Sequence, residues 1–307
     1  MKIDVVIPIY KPGPELFSLL DALESQSVPV GDIILMNTEK EYFDALTKGR
    51  GIGEKYPNVR VYHLSRKEFD HGATRHRGVG YSTGDIFVAM TQDAMPADSL
   101  LLEKLAGNLR GNVAVAYARQ LPGPGSSEFE KISRRFNYPP SSVVKTAADL
   151  DTMGIKTFFC SNVCAAYRRD IYEELGGFIR HAIFNEDMIY AAGAVKAGYA
   201  VAYEAGAAVV HSHNYTNMQQ LRRNFDLGVS QADHPEVFRQ AASEAEGKKL
   251  VAETYRLLKK EGRLHRFPGF CMQCGFKYAG YLLGRHYRKL PRGLVLRISA
   301  NREYWLA

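Results

Sequence analysis

The run Asp85-Ile-Phe-Val-Ala-Met-Thr-Gln-Asp-Ala94 ends in a carboxylate, Asp93, at the carboxyl end of a segment with the pattern of a buried strand. In open α/β sheets ligands collect beyond those ends, so this placement predicts a metal or phosphate site. An Asp there also suits a turn or helix cap, and its neighbours decide between the two. One Asp is a poor cage for Mg2+ or Mn2+, yet it suffices when phosphate oxygens, waters and one more side chain complete the octahedron. Asn185-Glu-Asp187 and His211-Ser-His213 are the candidates for that second ligand. The competing roles are plain: acids at a helix start complement its dipole, and a histidine can be a hydrogen-bonded core residue.

Two further clusters carry binding chemistry. Phe69-Asp-His-Gly-Ala-Thr-Arg-His-Arg-Gly78 sets a glycine beside Arg75 and Arg77 at a helix start. Backbone N–H groups and guanidinium groups together make an anion site suited to a diphosphate. Pro8-Ile-Tyr10 and Asn37-Thr-Glu39 end the first two strand-like runs, where adjacent parallel strands bring polar groups together around a base or ribose. In combination the clusters describe a nucleoside diphosphate site with a metal-binding Asp and, later in the chain, a carboxylate free to act as a base.

The elements that must position these residues alternate strand-like and helix-like runs, the pattern of a mostly parallel sheet with covering helices. Strands are expected at 4–8, 33–37, 59–64, 86–91, 113–118, 158–167, 201–204 and 208–211. Helices are expected near 15–26, 99–109, 170–175 and 186–197, with Gly176-Gly177 ending the third. Residues 121–156, interrupted by Leu121-Pro-Gly-Pro-Gly-Ser-Ser127 and Tyr138-Pro-Pro-Ser-Ser142, read as an excursion with a little helix rather than core sheet. Long excursions are often lids or binding loops. From about Met218 the chain reads as helical.

With 307 residues, 46% of them hydrophobic and 24% charged, the chain has the composition of a globular protein with a substantial core. No stretch approaches the roughly 18 apolar residues of a membrane span. The first strand, with Asp4, does not suit a signal peptide. The four cysteines agree with a reducing compartment, and the lone Cys271/Cys274 pair lacks the second pair a structural zinc site needs. A cytoplasmic location is therefore expected. Residues 221–307 hold 17 basic and 8 acidic side chains, whereas residues 1–220 hold 23 and 25, so the net charge of +7 resides in the tail. A basic, aromatic-rich helical tail suits an anionic membrane surface or nucleic acid.

From Val5-Val-Ile-Pro-Ile-Tyr10, Arg75-His-Arg-Gly-Val-Gly80 with Gly84-Asp85, Thr91-Gln-Asp93, Gly176-Gly-Phe178 and Asn185-Glu-Asp187, the chain resembles an inverting family 2 glycosyltransferase of the GT-A fold over residues 3–215. Phe69-Asp-His-Gly-Ala-Thr-Arg75, Thr91-Gln-Asp-Ala94 and His211-Ser-His-Asn-Tyr-Thr216 are similar to the rhamnosyltransferases of bacterial O-antigen and related polysaccharides. The resemblance implies an α/β GT-A catalytic domain over 1–216, including the 121–156 excursion, followed by a helical basic region over 217–307. It makes Asp93 the surviving acid of a DXD motif holding Mg2+ or Mn2+, with His211 or His213 completing the metal or diphosphate contacts. Asp187 becomes the general base and Glu186 its neighbour. Pro8, Tyr10, Asn37, Glu39, Asp70, Arg75 and Gln92 fall on the donor side. Two positions depart from the family pattern: Thr91 stands where many relatives have the first Asp, and Asn37-Thr-Glu39 replaces an Asp-X-Ser turn.

The implied donor is dTDP-β-L-rhamnose and the implied acceptor a lipid-linked saccharide, with the enzyme peripheral on the inner face of the cell membrane. A UDP-hexose donor is the alternative within the fold. A nucleotidyltransferase would carry a Gly-rich basic loop after the first strand, where Tyr10-Lys-Pro-Gly-Pro14 is stiffened by two prolines. A nucleic-acid-binding protein would leave the strand-end acids without a role, so no nucleic-acid partner is expected.

Overall fold

In the computed structural model, which describes residues 1–49, 52–239 and 243–306, nine strands form one sheet. Strands β1 (Ile3–Tyr10), β2 (Val30–Thr38), β3 (Val59–Leu64) and β4 (Ile86–Met90) pair in parallel in the order β3-β2-β1-β4. A strand covered on both faces needs apolar side chains in both directions, and Val5, Val6, Ile7 and every residue of β4 are buried. Helix Glu15–Glu24 covers one face through Leu16, Leu19, Leu20 and Leu23. Helix His71–Tyr81 covers the other, where a Cβ on Gly78 would stand 2.5 Å from Val6. Asp4 is the exception inside this apolar layer. Its buried carboxylate accepts the N–H groups of Asp32, Thr83 and Gly84 at 2.7–2.8 Å, tying three segments together at the amino ends of the strands.

Beyond β4 the strand directions change. The remaining strands are β5 (Met95–Pro96), β6 (Val113–Leu121), β7 (Val143–Lys145), β8 (Cys164–Arg168) and β9 (Ala200–Val210). β8 lies antiparallel between β4 and β6, β6 and β9 are parallel, and the short β5 and β7 both pair antiparallel with β9. Four pairings are thus parallel and four antiparallel, so the sheet is mixed where the alternating pattern predicts a mostly parallel one. The cause is the 121–156 excursion, which replaces a helical crossover and returns the chain through β8 in the opposite direction.

That excursion also departs from its expected form. It contains helix Glu128–Asn137, capped by Ser127, and it contributes β7 to the sheet. Lys145 anchors the strand: its buried ammonium donates to the carbonyls of Lys156 and Phe159 at 3.0 and 2.5 Å, and burial pushes its pKa down to about 7. The expected strand over 158–167 begins only at Cys164. Ser161 and Asn162 interrupt it because their side chains turn toward Gln120 and Glu186. The two short strands expected at 201–204 and 208–211 are one, β9, whose register against β6 shifts between Glu204 and Ala208.

Four main helices complete the described chain: Asn217–Asp233, Ser243–Lys260, Phe267–Arg285 and Arg292–Ile298. The first and third pack backbone to backbone. A Cβ on Gly280 or Gly284 would lie 2.1 Å from the carbonyl oxygen of Leu221 or Phe225, so only glycine fits there. Asp226 fastens the C-terminal turn by accepting the Ser299 hydroxyl at 2.7 Å and the Ala300 and Asn301 N–H groups at 3.0 Å. Ion pairs from Arg263 and Arg266 to Glu128 join this region to the excursion helix.

Candidate active site

The carboxyl ends of β4, β6 and β9 and the amino end of β8 lie on the same side of the sheet, because β8 runs against its two neighbours. Residues just past those ends therefore meet. A cavity of about 510 Å3 lies there, and Arg75, Asp93, Glu186, Asp187, His211 and His213 all line it. These six are scattered over much of the sequence: Asp93, His211 and His213 follow strand ends, while Arg75, Glu186 and Asp187 reach the cavity from two helices.

Asp93, His211 and His213 form one group. The Asp93 Oδ2 is 3.5 Å from His211 Nε2 and 3.1 Å from His213 Nε2, and the two Nε2 atoms are 3.1 Å apart. Gln120 sets the tautomer. Its amide nitrogen donates to the Tyr138 and Ser161 hydroxyls, so its Oε1, 3.0 Å from His211 Nδ1, is the acceptor. His211 then carries its proton on Nδ1 and turns the Nε2 lone pair toward Asp93. Burial lowers the His211 pKa and keeps the ring neutral, the form that ligates metals. Burial also works to raise the Asp93 pKa, but its close contacts with the His211 and His213 rings outweigh it and hold the carboxyl well below its ordinary range. Ligands bound at about 2.1 Å and at right angles stand about 3 Å apart. The donor set and spacing fit a divalent cation.

The second group is the acid pair at the start of helix Glu186–Lys196, entered through Asn185 in a left-handed conformation (φ 65°). Glu186 is 5% exposed and ion-paired: its Oε1 lies 3.1 Å from Arg75 Nη1 and accepts the Asn162 amide at 3.0 Å. Burial opposes its ionisation, and the Arg75 charge together with His71, the Asn162 amide and a backbone N–H more than offsets that, so Glu186 stays an anion. Asp187 instead accepts two backbone N–H groups, from Asn162 at 2.9 Å and Met188 at 2.8 Å. Burial, reinforced by the adjacent Glu186 charge, pushes its pKa up to about 7. One carboxylate is fixed and ionised while its neighbour is poised to exchange a proton near neutrality, the division expected of a general base and its support.

The remaining predicted residues lie outside this cavity. Gln92 clasps the end of β1, accepting the Tyr10 N–H at 2.8 Å and donating to the Tyr10 carbonyl at 3.0 Å. Tyr10 packs edge-on against Tyr42, with Lys11 Nζ 4.9 Å above the Tyr42 ring and Arg66 over Tyr10. Pro8 pairs with Met36 within the β1–β2 ladder. Asn37 donates to the Glu39 carbonyl and contacts His63, leaving its buried Oδ1 without a partner. Glu39, at φ 63°, accepts the Arg66 N–H. Asp70 caps helix His71–Tyr81 through Gly72 and Ala73 and reaches the Ala182 N–H.

Several cavity residues escape sequence reasoning. Gln120, Arg134, Asn162, Arg223 and Lys277 line it, the last two from the C-terminal helices. Asn162 alone leaves a local trace, as part of a polar pair inside the apolar run 158–167. The others sit on elements whose position depends on tertiary packing.

Comparison with known proteins agrees with this architecture. Residues 4–176 match the model of glycosyl transferase family 2. The chain is 35% identical to the O-antigen chain rhamnosyltransferase RfbN of Salmonella typhimurium, over 99% of this chain and 96% of that protein. It is 33% identical to the O-antigen chain rhamnosyltransferase WbaN of Salmonella anatum, over 98% and 95%. Among solved structures, the mannosyltransferase PcManGT of Pyrobaculum calidifontis, in complex with GDP-Man and Mn2+, superposes with a TM-score of 0.63 at 16% identity, covering 94% of this chain and 88% of that one. TarS 1-349 of S. aureus in complex with UDP-GlcNAc gives 0.51 at 14% identity, over 94% and 92%. The fold is therefore the GT-A glycosyltransferase type. On the matched residues and the full-length relatives together, the chain belongs to glycosyl transferase family 2 and is a glycosyltransferase.

Proposed function

We propose that this enzyme transfers L-rhamnose from dTDP-β-L-rhamnose to a lipid-linked saccharide with inversion, in the synthesis of a bacterial surface polysaccharide such as O-antigen. The observation that carries the reading is a single cavity walled by the Asp93–His211–His213 group and by Asp187, in a chain related end to end to two O-antigen rhamnosyltransferases. Asp187 takes the proton of the acceptor hydroxyl as its oxygen attacks the anomeric carbon opposite the departing diphosphate. Glu186, locked by Arg75 and Asn162, helps keep the Asp187 pKa high. Asp93, His211 and His213 would hold a divalent ion, which supplies positive charge where charge grows on the leaving group. Two imidazole donors favour a first-row ion such as Mn2+ over oxygen-seeking Mg2+. Tyr10, Asn37, Glu39 and their neighbours are assigned to the nucleoside, with Arg75 and Asp70 supporting the diphosphate side from helix His71–Tyr81.

A thermal-shift panel of dTDP, UDP and GDP, with and without Mn2+, tests donor and metal together. The largest stabilisation is expected from dTDP with Mn2+, and a larger response to UDP would overturn the thymidine assignment in favour of a UDP-hexose donor.

The C-terminal helices fit contact with the inner membrane surface. No described helix is long and apolar enough to cross a membrane. Among the described residues, eight of the thirteen exposed large hydrophobic side chains nevertheless lie at or beyond Met218, among them Met272, Tyr278 and Leu282, in the basic part of the chain. Each basic group near an anionic surface contributes roughly 1 kcal/mol of attraction. Vesicles containing phosphatidylglycerol are expected to carry the full chain in flotation, and equal flotation with neutral vesicles would contradict the proposal.

A further inference from the structure

A second concavity, about 960 Å3, lies between helices Asn217–Asp233, Ser243–Lys260 and Phe267–Arg285. Its walls are largely apolar and include Leu250, Val251, Phe267 and Tyr281. Such a volume is at the upper end of the roughly 300–1,000 Å3 of small-molecule sites. The groove adjoins the catalytic cavity, since Asn224, Leu227 and Lys277 line both. Lys277 stands at that junction without an ion-pair partner among the described residues, although Glu130 lines the same cavity. Lys248 and Arg256 add positive charge to the groove. An apolar trough, a lysine shared with the neighbouring cavity and, in that cavity, Asp187 together have the polarity profile of one molecule: a hydrocarbon chain, an anionic phosphate linker and a polar sugar, in that order.

We propose that this groove holds the hydrocarbon chain of a lipid-phosphate acceptor, with the phosphate at Lys277 and the sugar extending toward Asp187. The assignment rests on the reading of the acceptor as lipid-linked and adds to it a specific place for the lipid. It also explains why C-terminal helices close the cavity: they recognise the part of the acceptor that does not react. Because the chain is gripped apart from the chemistry, its binding energy positions the acceptor hydroxyl at Asp187.

The test uses the full chain and farnesyl diphosphate as the probe, with farnesol and inorganic diphosphate as its separate halves, measured by calorimetry. Farnesyl diphosphate is expected to bind at least about tenfold more tightly than inorganic diphosphate, as burial of apolar surface requires. Ala252 lies in the groove, exposed and outside the catalytic cavity. Ala252→Trp should fill the trough and abolish that advantage while leaving dTDP binding unchanged. Lys277→Met should weaken farnesyl diphosphate but not farnesol. Equal binding of farnesyl diphosphate by the Ala252→Trp variant and the wild type would overturn the proposal, as would equal affinity for inorganic diphosphate. So would a concentration-dependent dimer that the tryptophan disrupts, since the groove would then be an interface between copies. The dTDP measurement reports the donor reading separately. Loss of dTDP binding in the wild type with farnesyl diphosphate binding retained would sink the rhamnosyl assignment alone.

Discussion

Asp187→Asn is expected to lower kcat by about 10²–10⁴, the usual contribution of a general base, while dTDP affinity changes by less than about twofold. The substitution keeps the volume of the side chain. One of its two backbone contacts, from the N–H of Asn162 or of Met188, then faces an amide nitrogen instead of an oxygen, a loss of about 1 kcal/mol. Folding and donor binding therefore survive, and the melting temperature checks that they do. The wild-type pH profile belongs to the same prediction. Asp187 must be deprotonated to accept a proton, and burial with the Glu186 charge raises its pKa to about 7. The rate should accordingly fall about tenfold per pH unit well below that value and level off above it. In the Asn variant this acid limb should vanish with the activity. Turnover in the variant within about fivefold of wild type would remove Asp187 from the reaction.

Asp93→Ala should abolish the Mn2+-dependent part of dTDP binding, and His211→Ala should reproduce much of that loss. The reason is the small number of protein donors. A lone carboxylate and two imidazoles leave about half of an octahedral shell to phosphate oxygens and water, so ion and donor must bind together. Mn2+ alone should therefore bind weakly to the wild type and tightly once dTDP is present, and EDTA should reverse the combined stabilisation. Gln120→Ala is a finer version of the same experiment, because it removes the acceptor that fixes the His211 tautomer. Retention of full Mn2+ dependence in Asp93→Ala would place the metal elsewhere.

The elements of the first two thirds of the chain were legible because their signals are local. β3 lies where its apolar run places it, Val59–Leu64, and helix Glu186–Lys196 begins at the acids expected of an N-terminus. Gly176 and Gly177 both adopt positive φ, as a helix end followed by a turn requires. Strand direction was not legible, since an apolar run is the same read either way. β8 could be placed beside β4 only by the excursion that precedes it, and β7 joined the sheet although Val143 and Val144 are exposed.

The sequence by itself determined which residue types stand at the ends of the strands, because burial on both faces forces apolar runs and leaves polar residues only where those runs stop. Asp93, His211 and His213 could be singled out on that ground, Asp187 as an acid at a helix start, and the family followed from their motifs. What only the tertiary structure decided was how the charges are shared. Arg75 is committed to Glu186, Asp70 to a helix cap, and Gln92 to the backbone of Tyr10. Lys277 and Arg223 enter the cavity from helices far along the chain. Local patterns specify what each segment buries, whereas partner choice depends on distances of a few ångströms between segments, and those are set only when the whole sheet and its C-terminal helices pack together.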